Sequence, residues 1–280
     1  MENPDAQNNL RTKTLRNLTI PSIGFGTYKL TGDECREGVG DALEMGYRHI
    51  DTAQMYKNEI EVGMGMKESG VKREDIFLTD KIWFENLEPE TLKHSFVKSL
   101  EKLQTKYVDL LLIHWPSPEG IPLKETLSAM HDFKQQKTAR WIGVSNFTPE
   151  LLEQALEHEK VACNQVEYHP FLAQDKLLKM AALNELFITA YSPVAQGEVM
   201  ENEDLMKIGE MYGKNPAQVS LRWLIQQDNV IAIPKSASHE HRQSNLEIFD
   251  FELTDQEMDK ISSLARGKRL VNPEFAPEWK

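Results

Sequence analysis

The chain has 280 residues, 40% hydrophobic and 27% charged, which is enough apolar side chain for a full core and enough length for one or two domains. Its formal charge of −12, from 32 Lys and Arg against 44 Asp and Glu, argues against a nucleic-acid partner. It still leaves room for an anionic cofactor held by a local cluster of cations. No apolar run reaches the roughly 18 residues that cross a bilayer. The two cysteines, Cys35 and Cys163, form neither a CxxC pair nor a disulfide framework, which suits a reducing, cytoplasmic compartment.

Residues 1–13, MENPDAQNNLRTK, are polar and lack the apolar core of a signal peptide, so they read as an N-terminal tail before a domain over 14–280. TLRNLTIPSIG, starting at Thr14, has the pattern of a hairpin that would cap one end of that domain. From residue 22 onward eight short apolar runs predict strands at 22–28, 47–53, 75–83, 107–115, 139–147, 162–170, 186–193 and 229–236. Several are apolar almost end to end, as parallel strands covered on both faces are.

Helical patterns lie between the strands. In PETLKHSFVKSLEKLQ the residues Leu92, Phe96, Leu100 and Leu103 recur at helical spacing behind Pro89, and in NPAQVSLRWLIQQ so do Ala217, Leu221, Leu224 and Ile225. TDQEMDKISSLA (254–265) predicts an extra helix after the last strand–helix unit. Eight strands alternating with helices, and no linker, predict an α/β fold: a single (β/α)8 TIM barrel. A doubly wound nucleotide-binding sheet would need GxGxxG between a strand and a helix. Gly24 and Gly26 lack the third glycine, and Gly63 and Gly65 sit inside a helical pattern.

Active sites of such barrels lie at the carboxyl ends of the strands. Those ends carry Asp51, Lys81, His114, Ser145 with Asn146, Gln165 with Glu167, Tyr191 with Ser192, and Lys235 with Ser236. A lysine inside the apolar run LTDKIW needs an anion, because an unpaired buried ammonium costs several kcal/mol or loses its proton. Asp51 on the adjacent strand is the natural partner, with a plain structural ion pair as the competing reading. Tyr56, five residues after Asp51, would reach over the same mouth. A phenol beside an ammonium is expected to have its pKa lowered and to serve as proton donor to a carbonyl oxygen, with His114 on the same oxygen. Neither a nucleophile with an evident His base nor a metal-ligand spacing is present.

In chain order GFGTYKL, HIDTAQMYKNE, LTDKIW, DLLLIHWP, IGVSNF, NQVEYHP, AYSP and IPKS resemble the aldo-keto reductase superfamily over residues 14–280. The short loop WPSPEGIPLKET and the tail RLVNPEFAPEW resemble its bacterial 2,5-diketo-D-gluconate reductase group, whose members also reduce methylglyoxal. That resemblance implies a monomeric NADPH-dependent reductase of small carbonyl compounds. Its catalytic tetrad would be Asp51, Tyr56, Lys81 and His114, with Tyr56 as general acid. It places Ser145, Asn146 and Gln165 on the nicotinamide carboxamide and Tyr191 under the ring. Ser192, Pro193 and Val194 would begin the pyrophosphate loop. Lys235 and Ser236 would meet the 2′-phosphate and Asn245 the adenine, with Gly26, Thr27 and Ile233 completing the cofactor surface. Tyr28, Trp83 and Trp115 would wall the substrate pocket.

Three positions depart from the family pattern. His241 stands where an Arg is usual, with Arg242 beside it, and Ser244 where a Glu is usual. NADPH preference would then rest on Lys235 and Ser236 with help from Arg242, leaving some use of NADH. Asp80 replaces a small residue in LTDKIW, on the strand face opposite Lys81. The competing function is a barrel that binds NADPH without turnover, as a regulatory subunit.

Overall fold

A computed structural model describes residues 11–279. The predicted tail falls mostly on residues 1–10, outside the described residues. The hairpin is present as β1 (Thr12–Leu15) and β2 (Leu18–Pro21), paired antiparallel, and it begins two residues before Thr14.

Two compact units make up the chain, Phe25–Gln165 with Pro273–Lys280, and the segment up to Gly24 with Val166–Asn272. The first holds β3 (Phe25–Gly26), α1 (Gly32–Met45), β4 (His49–Asp51), α2 (Glu59–Glu68), β5 (Phe77–Ile82), α3 (Pro89–Lys102), β6 (Val108–Ile113), α4 (Leu123–Gln135), β7 (Ala139–Ser145) and α5 (Pro149–His158), and β8 (Cys163–Glu167) starts in it. The second holds the hairpin, α6 (Asp175–Asn184), β9 (Phe187–Tyr191), α7 (Glu203–Tyr212), α8 (Pro216–Gln226), β10 (Val230–Ala232), α9 (His239–Leu246) and α10 (Asp255–Ser262).

All eight predicted strands are present, each shorter than its apolar run. They form one sheet in chain order from β3 to β10, the order of a (β/α)8 barrel. Every residue of β4, β5, β6 and β8 is buried, which is why those runs lack a polar alternation. Ile23, just before β3, bridges Ala232 of β10, and the Gly24 amide donates to the Ala232 carbonyl at 2.8 Å. The predicted helices start where their caps stand. Pro89 opens α3, while Asn215–Gln218 and Thr254–Glu257 form reciprocal capping boxes for α8 and α10.

Gly63 and Gly65 have a packing role on α2. A Cβ on Gly63 would lie 2.7 Å from the Leu103 carbonyl carbon and 2.8 Å from its oxygen, and one on Gly65 would meet the Arg36 carbonyl oxygen and Val39 of α1. Both obstacles at closest approach are backbone, so the helices can pack this closely only without side chains there. Gly63→Ala is expected to force α2 off the end of α3 and to lower stability by about 1–3 kcal/mol. Urea unfolding checks this; an unchanged midpoint would show that the contact yields freely.

Candidate active site

Parallel register builds the centre of the first unit. β4 pairs with β5 so that Asp51 stands opposite Thr79, and β5 pairs with β6 so that Lys81 stands opposite Leu112. Thr79 and Lys81 share one strand face, so the lysine is delivered beside the aspartate. Lys81 Nζ donates to Asp51 Oδ1 at 2.5 Å, to the Thr52 carbonyl at 2.9 Å and to the Tyr56 hydroxyl at 3.2 Å. Tyr56 arrives on a 3₁₀ turn, Gln54–Tyr56, directly after β4. His114 follows the last residue of β6, with its ring edge-on to Tyr56 at 5.6 Å between centroids. The four residues singled out in the sequence therefore converge, and the lysine's three donors are all used.

The charges follow from burial and pairing. Burial works against the Lys81 ammonium, but Asp51 and Tyr56 outweigh it, so the net shift is upward and the lysine stays charged. Tyr56 corrects the sequence expectation. Burial raises its pKa more than the Lys81 charge and hydrogen bond lower it, with Asp51 adding to the rise, so the phenol is held neutral. His114 is pushed well below the ordinary imidazole value by burial and then by the Lys81 charge, so its ring is neutral too. The site presents one fixed cation and two neutral groups able to donate a proton or a hydrogen bond.

Amide side chains lock this arrangement. Gln165 Nε2 donates to Asp51 Oδ2 at 2.7 Å, so the aspartate has a partner on both oxygens. Ser145 Oγ donates to the Gln165 carbonyl at 2.9 Å, and Asn146 Nδ2 to the His114 carbonyl at 2.9 Å. Thr27 N and Oγ1 both donate to the Asp51 carbonyl at 3.0 Å, beside Gly26, which pairs with Asp51 in the β3–β4 ladder. Two residues that sequence reasoning passed over complete the frame. Buried Asn58 donates to the Thr27 and Leu30 carbonyls at 2.9 Å each and accepts from Thr52 Oγ1. Gln54 Oε1 accepts from the Trp83 amide and from Asn86. Both stand inside HIDTAQMYKNE, so their place in that motif was the available signal.

The aromatic wall is larger than Tyr28, Trp83 and Trp115. Tyr28 lies 5.0 Å from Tyr56 by ring centroid and is 46% exposed, while Trp83 lies 5.4 Å from His114. Phe275 joins them, 5.6 Å from Trp83, 4.7 Å from Phe84 and 5.4 Å from Trp115. It stands inside the tail RLVNPEFAPEW, so its place in that motif was the available signal, but nothing local tied it to the wall.

In the second unit Tyr191 ends β9, and the chain then turns through positive φ at Ser192, Ala195, Gln196 and Gly197. Three of these are not glycine, which costs of order 1–2 kcal/mol each. Ser220 of α8 holds the turn by donating to the Pro193 carbonyl at 2.7 Å, and Val194 precedes the 3₁₀ segment Ala195–Glu201. Past β10, Ile233 and Ser236 are buried. Lys235 and His241 are exposed and Asn245 is half-buried. Arg242 points inward, donating to the Ser236 and Ala237 carbonyls at 3.2 and 2.9 Å, so it braces this loop from beneath. Lys235 has no carboxylate partner among the described residues. An exposed cation beside a serine and the start of a helix fits a phosphate-bearing cofactor.

Asp80 faces away from the tetrad and is fully buried, and neither of its oxygens has a hydrogen-bond partner among the described residues. Burial and then the Glu59 charge raise its pKa well above the usual carboxylate value, and the Lys81 amide and ammonium offset this only in part. Among the described residues no group of three or more His, Cys, Asp and Glu could hold a metal ion, and no helix is long and apolar enough to cross a membrane.

Comparison with known proteins places this geometry. The aldo/keto reductase family pattern matches residues 22–266. Methylglyoxal reductase DkgB of Escherichia coli O157:H7 is 40% identical over 94% of this chain and 100% of its own length. Glyoxal reductase of Bacillus subtilis (strain 168) is 43% identical over 92% of this chain and 94% of its own. A solved structure described as a 2,5-diketo-D-gluconic acid reductase B superposes with a TM-score of 0.95 at 41% identity, covering 98% of this chain and 99% of that one.

Asp80 has a measurable consequence. A carboxyl held high takes up a proton on folding, so the stability it contributes is full below the unfolded pKa, about 4. That stability is lost as pH rises toward the folded value. Asp80→Asn is expected to flatten the decline of the urea midpoint from about pH 4 upward and to equal or exceed the native protein at neutral pH. An identical pH profile in both proteins would mean that Asp80 is ionised in the fold.

Proposed function

Because the chain belongs to the aldo/keto reductase family, we propose that it reduces small carbonyl compounds to alcohols with NADPH, Tyr56 serving as general acid. The substrates would be 2-oxoaldehydes such as methylglyoxal, keto-sugar acids of the 2,5-diketo-D-gluconate kind and other aldehydes. The names of the relatives support that range. The observation that carries the reading is the Tyr56 hydroxyl 3.2 Å from a Lys81 ammonium that is itself fixed on Asp51.

Bound NADPH supplies the hydride. The chain's own residues handle the oxygen. A neutral His114 donates a ring N–H to the carbonyl oxygen and orients it. Tyr56 gives its proton to that oxygen as negative charge gathers there. The phenolate that forms is stabilised by the adjacent Lys81 ammonium, which Asp51 keeps charged and in place. A phenol with a raised pKa is ionised less in the resting enzyme, so it stands ready in the acid form at neutral pH. Trp83, Trp115 and Phe275 give the substrate an apolar wall. Lys235 and Ser236 would take the 2′-phosphate. His241, a weaker anion partner than Arg, is the reason to expect some use of NADH.

Two measurements test this reading. Tyr56→Phe is expected to lower kcat with methylglyoxal by about 10²–10⁴-fold while NADPH binding, followed by its fluorescence, is retained. Undiminished turnover would remove Tyr56 as the donor, and no turnover by the native protein on any of the three substrate classes would favour a non-catalytic barrel. Lys235→Ala is expected to raise KM for NADPH about tenfold, the worth of one charge-assisted hydrogen bond, with little change for NADH. An equal effect on both cofactors would place the lysine elsewhere than the 2′-phosphate.

A further inference from the structure

The first unit contains a second concavity, apart from the tetrad. It has a volume of about 930 Å³ and lies between the Gln54–Tyr56 turn, the segment after β5 and the outer face of α3. Its charged lining is Lys57, Lys98 and Lys102 against one carboxylate, Glu85. Such a cationic excess runs against the protein's net charge of −12. Lys102 is compensated by buried Glu59 at 2.6 Å, whereas Lys57 and Lys98 have no anionic partner among the described residues. Two uncompensated ammoniums inside a concave, partly low-dielectric wall focus positive potential there.

The walls are tied together before any ligand arrives. Gln54 Nε2 donates to Ser99 Oγ on α3 at 3.0 Å, while its Oε1 holds the Trp83 amide and Asn86 Nδ2, each at 3.0 Å. One amide thus joins all three walls. Lys57 itself sits at φ 57°, a left-handed conformation that a residue with a side chain adopts at some cost. This conformation follows directly on Tyr56, and the lysine lines the cavity while Tyr56 meets Lys81. Trp83 supplies an apolar surface, while the Thr91 and Ser95 hydroxyls on the lining donate to Glu88 Oε2 and the Leu92 carbonyl and leave the lysines as its free donors.

We propose that this cavity is a binding site for a small organic phosphate, with Lys57 and Lys98 meeting the phosphate and Trp83 covering the apolar body. A phosphate monoester carries close to two negative charges near neutral pH and three acceptor oxygens. That matches two free ammoniums, with up to three donors each, better than a single carboxylate would. The site uses no tetrad residue and shares only Trp83 with the substrate wall, so binding measured without turnover tests it separately from the reductase reading.

Phenyl phosphate and inorganic phosphate are the probes, titrated by calorimetry into protein saturated with NADP⁺ so that any cofactor phosphate site is filled. Saturable binding of phenyl phosphate is expected, weaker binding of inorganic phosphate, none of phenol, and loss of affinity with added salt. The double variant Lys57→Gln, Lys98→Gln should weaken phenyl phosphate by about tenfold or more, and Lys57→Arg, Lys98→Arg should restore it. Lys207→Gln, on a lysine of α7 paired with Glu203, should leave it unchanged. Both cavity lysines are exposed, and an unaltered thermal midpoint shows that the variants are folded. Equal affinity of the native and double-Gln proteins, or the absence of saturable binding for both phosphates, overturns the proposal.

Discussion

One buried ion pair governs the rest. Lys81 is fully buried on β5, and an ammonium there survives only with oxygens around it. It has three: Asp51 Oδ1, the Thr52 carbonyl and the Tyr56 hydroxyl. Removing either partner of a buried pair strands the other charge at about 3–5 kcal/mol. The register of β4 against β5, the turn after β4 and the placing of Tyr56 are thereby bound to one another. Gln165 closes the circuit from β8 by taking the second Asp51 oxygen. The pairing that makes the core tolerable also positions the phenol.

Several carboxylates are buried, and their fates differ with their neighbours. Asp109 accepts from Arg73, Arg140 and the Leu78 amide. Glu167, in the second unit, accepts from His169 and from the backbone amides of Leu270 and Val271, which anchors that stretch of chain. Asp51 is paired on both oxygens. Asp80 alone among these four has neither an ion pair nor a well-formed hydrogen bond among the described residues, and Glu59 lies close enough to repel it. Position along LTDKIW separates neighbours: Lys81 faces the tetrad and Asp80, one residue before it, lies on the opposite strand face. Alternation in a strand decides which acid or base does chemistry and which is simply enclosed.

Much of the fold was legible because the strands are buried on both faces and so are written as unbroken apolar runs. VDLLLI and FLTDKI announce strands, and Pro89, Asn215 and Thr254 announce helix starts, from local chemistry alone. The tetrad was legible for a related reason: each member is a polar residue interrupting or ending an apolar run, and such interruptions need an explanation. Gly63 and Gly65 were legible only by exclusion. The sequence shows that they do not form a nucleotide loop, and the packing of α1 and α3 against α2 shows what they do.

Other features depended on residues far apart in the chain. Phe275 meets Trp83, Phe84 and Trp115 across about 160 to 190 residues, and no local pattern records that distance. Arg242, expected from the sequence to help at the phosphate, also braces its own loop through two carbonyls, a role only the fold reveals. The sign of the Tyr56 shift was likewise hidden: a nearby ammonium can be inferred from sequence, but how much water the fold removes from the phenol cannot. Sequence by itself determined the order of strands, the caps and the identity of the polar residues at the strand ends, since these are local properties of residue type and spacing. Tertiary structure decided which of those residues touch, which carry charge and what encloses them, because desolvation and pairing exist only once distant segments have packed.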